Sequence, residues 1–172
     1  MPVYALGDLT PTIADDAYVS PDAVIIGDVR IGSESSIWPG VVMRGDTGHI
    51  TVGERTSIQD GSIIHTTIHA PTTVGNDCVV GHLVHLEGCT IEDGSLVGSG
   101  SIVLHNAVVR SGGLVAANAV CNNNFEVPSG AMAMGVPAKL RHDAVDPAMI
   151  EIPAAHYVEN GKRFAEELRR LD

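Results

Sequence analysis

Residues 91–121 read IEDGSLVGSGSIVLHNAVVRSGGLVAANAVC, and in them Ile91, Val97, Val103, Val109, Val115 and Cys121 recur every six residues. A helix face needs apolar residues at i, i+3, i+4 and i+7, and leucine-rich repeats need periods of about 20–29 residues, so neither explains this spacing. Outward from the stretch the series runs back through Val74, Val80 and Leu86, then Val52, Ile58 and Ile64, then Ile13, Val19, Ile25, Ile31, Ile37 and Met43. Four residues after the anchors stand small or β-branched residues, among them Ala23, Ser35, Thr56, Ser62, Cys78, Ser95, Ser101, Ala107 and Ala119. Each hexad thus supplies one short strand with its anchor inward and a small residue at a tight corner. Three hexads close a turn, and turns stack as parallel strands about 4.8 Å apart. The expected fold is all-β: a left-handed parallel β-helix of hexapeptide repeats, followed by a C-terminal α-helix.

The composition suits a narrow, repetitive interior. Of 172 residues, 44% are hydrophobic but only 3% aromatic, and 19 are glycine. A net charge of −11 disfavours nucleic acid and anionic membranes as partners, since both require clustered Lys and Arg. The acidic N-terminus lacks a basic, then apolar, leader, and no apolar run is long enough to span a bilayer. Cys78, Cys89 and Cys121 form no CxxC pair and are odd in number, which argues against a disulfide framework. A reduced, cytoplasmic setting is expected.

Three breaks in the period mark loops: Met43 to Val52 is three residues longer than a hexad, Ile64 to Val74 four longer, and Leu86 to Ile91 one shorter. Insertions in a solenoid bulge outward, often on the functional side. The expected single domain divides into the coil at 1–126, an exit loop at 127–152 and a helix at 153–172 packed on the coil, with Pro153 near its first turn.

Counting turns brings polar residues together. His65 and Glu87 take the same place one turn apart, 22 residues being 18 plus the four-residue insertion, and Arg44 takes it a turn earlier. On another side Asp60 stacks on His82, again 22 apart, with Gln59 beside it. Stacked side chains can converge on one ion, because zinc–ligand distances are about 2.0–2.2 Å. Completing a site from both ladders requires either one corner of the prism or two facing chains, and a cyclic trimer supplies the second arrangement. An isolated outward histidine on a solenoid is ordinarily a solvated surface residue; two histidines and a carboxylate in stacked places beside an Arg and an Asp make a metal site a real alternative.

The run Arg44-Gly45-Asp46, then Ile58-Gln59-Asp60 with His65, then Gly81-His82 and Gly88-Cys89, resembles the γ-class carbonic anhydrase family, as do SSIWPGVVMRGD and GVPAK. The resemblance covers nearly the whole chain. It implies a homotrimer with zinc, or iron or cobalt, held by three histidines between subunits, where a metal-bound hydroxide hydrates carbon dioxide reversibly to bicarbonate. Residue by residue, His65 matches the first ligand and His82 the second. Arg44 and Asp60 match an ion pair between subunits, Gln59 matches the residue positioning the reactive water, and Asp46 is the acidic member of the first motif. The third ligand departs from the pattern: Glu87 stands in its place, and His85 appears two residues earlier. Either Glu87 ligates, or His85 does with Glu87 as an outer partner or base, or metal affinity is lost. A carboxylate ligand lowers the positive charge on the site and makes water there harder to ionise.

The insertion at 66–73 carries no carboxylate for proton transfer, which leaves His69 or Glu87 as candidates and predicts slow or absent hydration. Two other classes share the repeat: a hexapeptide acyltransferase with an interfacial histidine, and a non-catalytic trimeric scaffold or small-molecule binder. Tyr157 and Asn160 are the residues of the terminal helix that could approach an interfacial site.

Overall fold

In the computed structural model, which describes residues 2–172, the six-residue anchors form three inward columns. One column stacks Ile25, Met43, Ile64, Leu86, Val103 and Cys121 in parallel register. A second stacks Ile31, Val52, Val74, Ile91, Val109 and Val127, and a third Ile37, Ile58, Val80, Val97, Val115 and Ala133. These side chains are 0–3% exposed. Each buried aliphatic anchor contributes about 1.5–3 kcal/mol relative to an exposed one. The result is a parallel β-helix of about seven turns with one C-terminal helix.

The corners show why small hydroxyl residues follow the anchors. Ser35 Oγ donates to the Gly53 carbonyl (2.7 Å), Thr56 Oγ1 to Gly75 (2.7 Å) and Ser62 Oγ to Gly81 (2.8 Å). Each buried hydroxyl therefore links its turn to the next and is itself satisfied. Just before Ser35, Thr56 and Cys78 the chain takes left-handed backbone, at Glu34, Arg55 and Asp77 (φ +51° to +55°). Arg55 holds Asp77 through two hydrogen bonds, at 2.8 and 2.9 Å, across that column of turns.

The two insertions lie against each other. The first is absorbed within the strand Val42–Val52: Gly27 pairs with Gly45, the register then shifts, and Val29 pairs with Ile50. The second closes as a tight hairpin through an antiparallel Thr67–Ala70 bridge. Thr47 Oγ1 donates to the Thr66 carbonyl (3.2 Å), which binds the two insertions together beside His65.

Both domain boundaries expected from the sequence need correction. The coil does not stop at 126: Val127 and Ala133 are fully buried anchors that pair with Val109 and Val115. The Pro128 and Gly130 turn signals belong to a further corner of the coil. Lys139–Arg141 then folds back antiparallel on Met132–Met134 and caps that sheet. The helix begins at Ala148, not at Pro153, and runs to Glu167. Asp146 Oδ1 accepts the Ala148 N–H (3.0 Å) and Pro147 follows it, so Asp146-Pro147 is the start signal and Pro153 lies inside the helix.

The helix packs on the strand column of Tyr18–Val19, Ser36–Ile37, Ser57–Ile58 and Val79–Val80. Trp38 anchors it, with its ring 4.9 Å from Phe164, 5.7 Å from Tyr157 and 5.4 Å from Tyr18 between centroids. Gly161 faces the strands closely: a Cβ there would already be in van der Waals contact, 3.4 Å from Ser36 Cβ and 3.6 Å from Tyr18 Cβ, which leaves no room for a longer side chain. Gly161→Leu should therefore lift the helix and cost about 1–3 kcal/mol by overpacking. A thermal midpoint lowered by several degrees checks this; an unchanged midpoint would show the helix contributes no docking energy.

Candidate metal centre

The ladder predicted by counting turns is present: Arg44 is in register with His65, and His65 with Glu87. His65 sits between two carboxylates, with Nδ1 2.9 Å from Glu87 Oε1 and Nε2 3.2 Å from Asp46 Oδ1. Asp46 in turn is ion-paired with Arg44. Partial burial pushes the Asp46 carboxyl up, but the hydrogen bonds from Arg44 and His65 outweigh it and hold the group below the ordinary carboxylate range. Glu87 is also lowered, chiefly by the His65 hydrogen bond, which together with His85 overcomes desolvation.

The second ladder lies elsewhere on the coil. His82 Nδ1 is 2.9 Å from Asp60 Oδ2, and both side chains are about half exposed. Gln59, beside Asp60, is buried. A carboxylate on one ring nitrogen fixes a histidine and leaves the other nitrogen for a ligand. Asp46 stands in that relation to His65 and Asp60 to His82. Arg44 and Asp60, matched by resemblance to an ion pair between subunits, have partners within the chain: Asp46 and His82.

Among the described residues, no three His, Cys, Asp or Glu side chains of a single chain are arranged to hold a metal. One chain brings together Asp46, His65 and Glu87, but not His82. His85 Nε2 lies 3.2 Å from Glu87 Oε2, so His85 attends the carboxylate. His69 is exposed in the second insertion. Burial, then the charge of Asp60, pushes the Tyr157 hydroxyl up, which places this helix residue within the electrostatic reach of Asp60. Asn160 Nδ2 is 2.8 Å from His156 Nε2.

Sequence reasoning missed His105. Its Nε2 lies 3.8 Å from Glu87 Oε1, so Glu87 has three histidine neighbours. The signal was the shortened step after Leu86: Leu86 pairs with Val103, 17 residues on, which shifts His105 toward Gly88. The three cysteines are free and buried. Burial pushes Cys78 and Cys89 to about 12 and Cys121 to about 11, so none is a thiolate near neutral pH. No helix among the described residues is long and apolar enough to cross a membrane.

The lowered carboxyls have a measurable consequence. Asp46 and Glu87 each contribute stability that is complete above the unfolded pKa of roughly 4, and it is lost as pH falls through the lower folded value. The thermal midpoint should therefore fall on the acid side of about pH 4, and Glu87→Gln should flatten that limb in melts taken across pH. An unaltered limb in the variant would count against Glu87 as a contributor.

Fold and repeat together define a hexapeptide-repeat protein, and residues 10–45 match the family described as "Bacterial transferase hexapeptide (six repeats)". A crystal structure of a hexapeptide transferase family protein from Anaplasma phagocytophilum superposes with a TM-score of 0.91 at 33% identity, covering 95% of this chain and 98% of that one. Within this class, the carbonic anhydrase of Geobacillus kaustophilus is 36% identical over 94% of this chain and 90% of its own length. Gamma carbonic anhydrase 2, mitochondrial, of Arabidopsis thaliana is 38% identical over 91% of this chain. The chain belongs to the γ-class carbonic anhydrase family. It spans 62% of the length of the Arabidopsis relative.

Proposed function

We propose that this protein is a carbonic anhydrase-like metalloenzyme that interconverts carbon dioxide and bicarbonate at sites between the subunits of a homotrimer. The observation that carries the reading is the division of one donor set into two halves on each chain: His65 with Glu87, and, apart from them, His82. The donor chemistry fits a divalent ion. Two imidazoles and a carboxylate form a set that zinc accepts, with iron or cobalt as further candidates. His65 Nδ1 and Glu87 Oε1, 2.9 Å apart, are close enough to serve one ion at ligand distances of about 2.0–2.2 Å. Zinc is the first choice, and His82 of a second copy is the third donor.

When bound, the metal would supply Lewis acidity that makes water at the site easier to ionise, less strongly with a carboxylate donor than with three imidazoles. The chain's own residues do the rest. Asp46 and Asp60 orient the rings of His65 and His82. Gln59 directs the attacking water with its side-chain amide, and Arg44, half exposed, faces the adjoining subunit and keeps the two half-sites in register. Glu87 is the second donor on the chain that carries His65, and His85 supports it. The carboxylate makes hydration slower than three neutral imidazoles would allow. Three buried free thiols suit a reduced cytoplasm.

The test is mass determination and elemental analysis of anaerobically purified protein, combined with subunit mixing. A trimer with bound metal is expected. His65→Ala and His82→Ala should each lose the metal while remaining folded, and mixed trimers of the two should regain part of it, because every mixture contains an interface with both histidines. Full metal content in either single variant would overturn the reading. The structural likeness to a hexapeptide transferase favours one competitor, and acetyl-coenzyme A binding by metal-free protein would support that class instead.

A further inference from the structure

Glu87 is enclosed more completely than a ligand on an exposed solenoid face requires. His65 Nδ1 lies 2.9 Å from Oε1, His85 Nε2 lies 3.2 Å from Oε2, and His105 Nε2 lies 3.8 Å from Oε1. The three histidines come from three successive turns. His65 is in register with Glu87 in the turn before, His85 is on the same strand, and His105 follows the strand Ile102–Val103 in the turn after. The carboxylate therefore has imidazole nitrogen at hydrogen-bond distance on two sides and a third within ion-pair distance.

The approach of His105 depends on the residue next to Glu87. Gly88 has left-handed backbone (φ +62°), and a Cβ there would stand 2.9 Å from His105 Cδ2 and 2.8 Å from Ala70 Cβ. The space a side chain would fill is taken by the His105 ring on one side and by the second insertion on the other. The shortened step after Leu86 and the absence of a side chain at 88 together set His105 against Glu87.

We propose that His105, with His85, is a positioning residue that holds the Glu87 carboxylate in its metal-binding orientation, compensating for the change of the third donor from imidazole to carboxylate. This rests on the proposed role of Glu87 as a donor. A histidine ligand is aimed by its stiff ring and one partner; a glutamate has an additional rotatable bond, and its two oxygens can exchange. With His105 beside one oxygen and His85 hydrogen-bonded to the other, that freedom is restricted. Outer partners of this kind typically alter metal affinity by about 10–100-fold.

The test uses the full-length protein stripped of metal and titrated with Co(II), whose visible absorption reports the geometry of its donors. His105→Ala should weaken Co(II) binding by about 10–100-fold and change the visible spectrum. His105→Asn, which retains a side-chain N–H donor, should recover part of the affinity. In a Glu87→His background the same His105→Ala change should have little effect, because no carboxylate remains to be held. Circular dichroism melts of every variant separate this from loss of fold. Unchanged affinity and spectrum in His105→Ala overturn the inference, as does an equal loss in the Glu87→His background. Both results leave the donor role of Glu87 intact. A wild-type protein that takes up no Co(II) overturns the donor role, and this inference with it.

Discussion

Glu87→His is expected to raise carbon dioxide hydration by the metal-loaded protein by roughly tenfold or more, equivalent to about 1.4 kcal/mol of transition-state stabilisation. The change removes a negative charge from the donor set and supplies a third neutral imidazole, so water at the site ionises at lower pH. The same substitution has an opposite effect on the fold. Position 87 would then stand among His65, His85 and His105 without the carboxylate that attracts them. Loss of those contacts should lower the thermal midpoint relative to the parent chain. Stopped-flow hydration with matched metal content, together with thermal melts of both proteins, checks both halves. Unchanged hydration and metal content would remove Glu87 from the donor set.

The second large effect is structural and reaches the site through the backbone. Gly45→Ala should destabilise the protein by about 3 kcal/mol, at the upper end of overpacking costs. A Cβ at Gly45 would lie 2.4 Å from the Asp28 carbonyl oxygen and 2.9 Å from its carbon, and both belong to main chain that cannot rotate away. The neighbouring strand must shift where Gly27 pairs with Gly45 and the register slips by Val29. Asp46 follows directly and would move relative to His65 Nε2, 3.2 Å from it. The variant should melt several degrees lower and bind metal more weakly, whereas Asp46→Asn should weaken metal binding with a smaller loss of stability. Parental stability in the Gly45→Ala variant would show that the two strands can separate at no cost.

Much of this site was legible because the repeat is a measuring device. A period of six with three sides gives each residue a side and a turn, so the stacking of His65 on Glu87 and of Asp60 on His82 follows from subtraction. The end of the coil is harder to read because Pro128 and Gly130 carry the same turn signals as an exit loop, although Val127 and Ala133 continue the period. The helix start is ambiguous because two prolines compete, and only Asp146 with its hydrogen bond to Ala148 distinguishes Pro147 from Pro153. Asp46 shows a further limit: the sequence places it beside Arg44 but does not show that a strand bulge turns it toward His65.

The sequence by itself determined the architecture of this protein, the columns of its core and the two polar ladders, because each of these depends only on spacing along the chain. The tertiary structure decided what those ladders touch. Arg44 binds Asp46, His85 turns toward Glu87, and His105 reaches Glu87 across Gly88. These contacts depend on side-chain direction and on space left by glycine and by the stacked insertions, which a count of residues does not contain. The separation of His82 from His65 and Glu87 likewise follows from the cross-section of the coil. That separation is the physical reason for seeking the remainder of the site on a second copy of the chain.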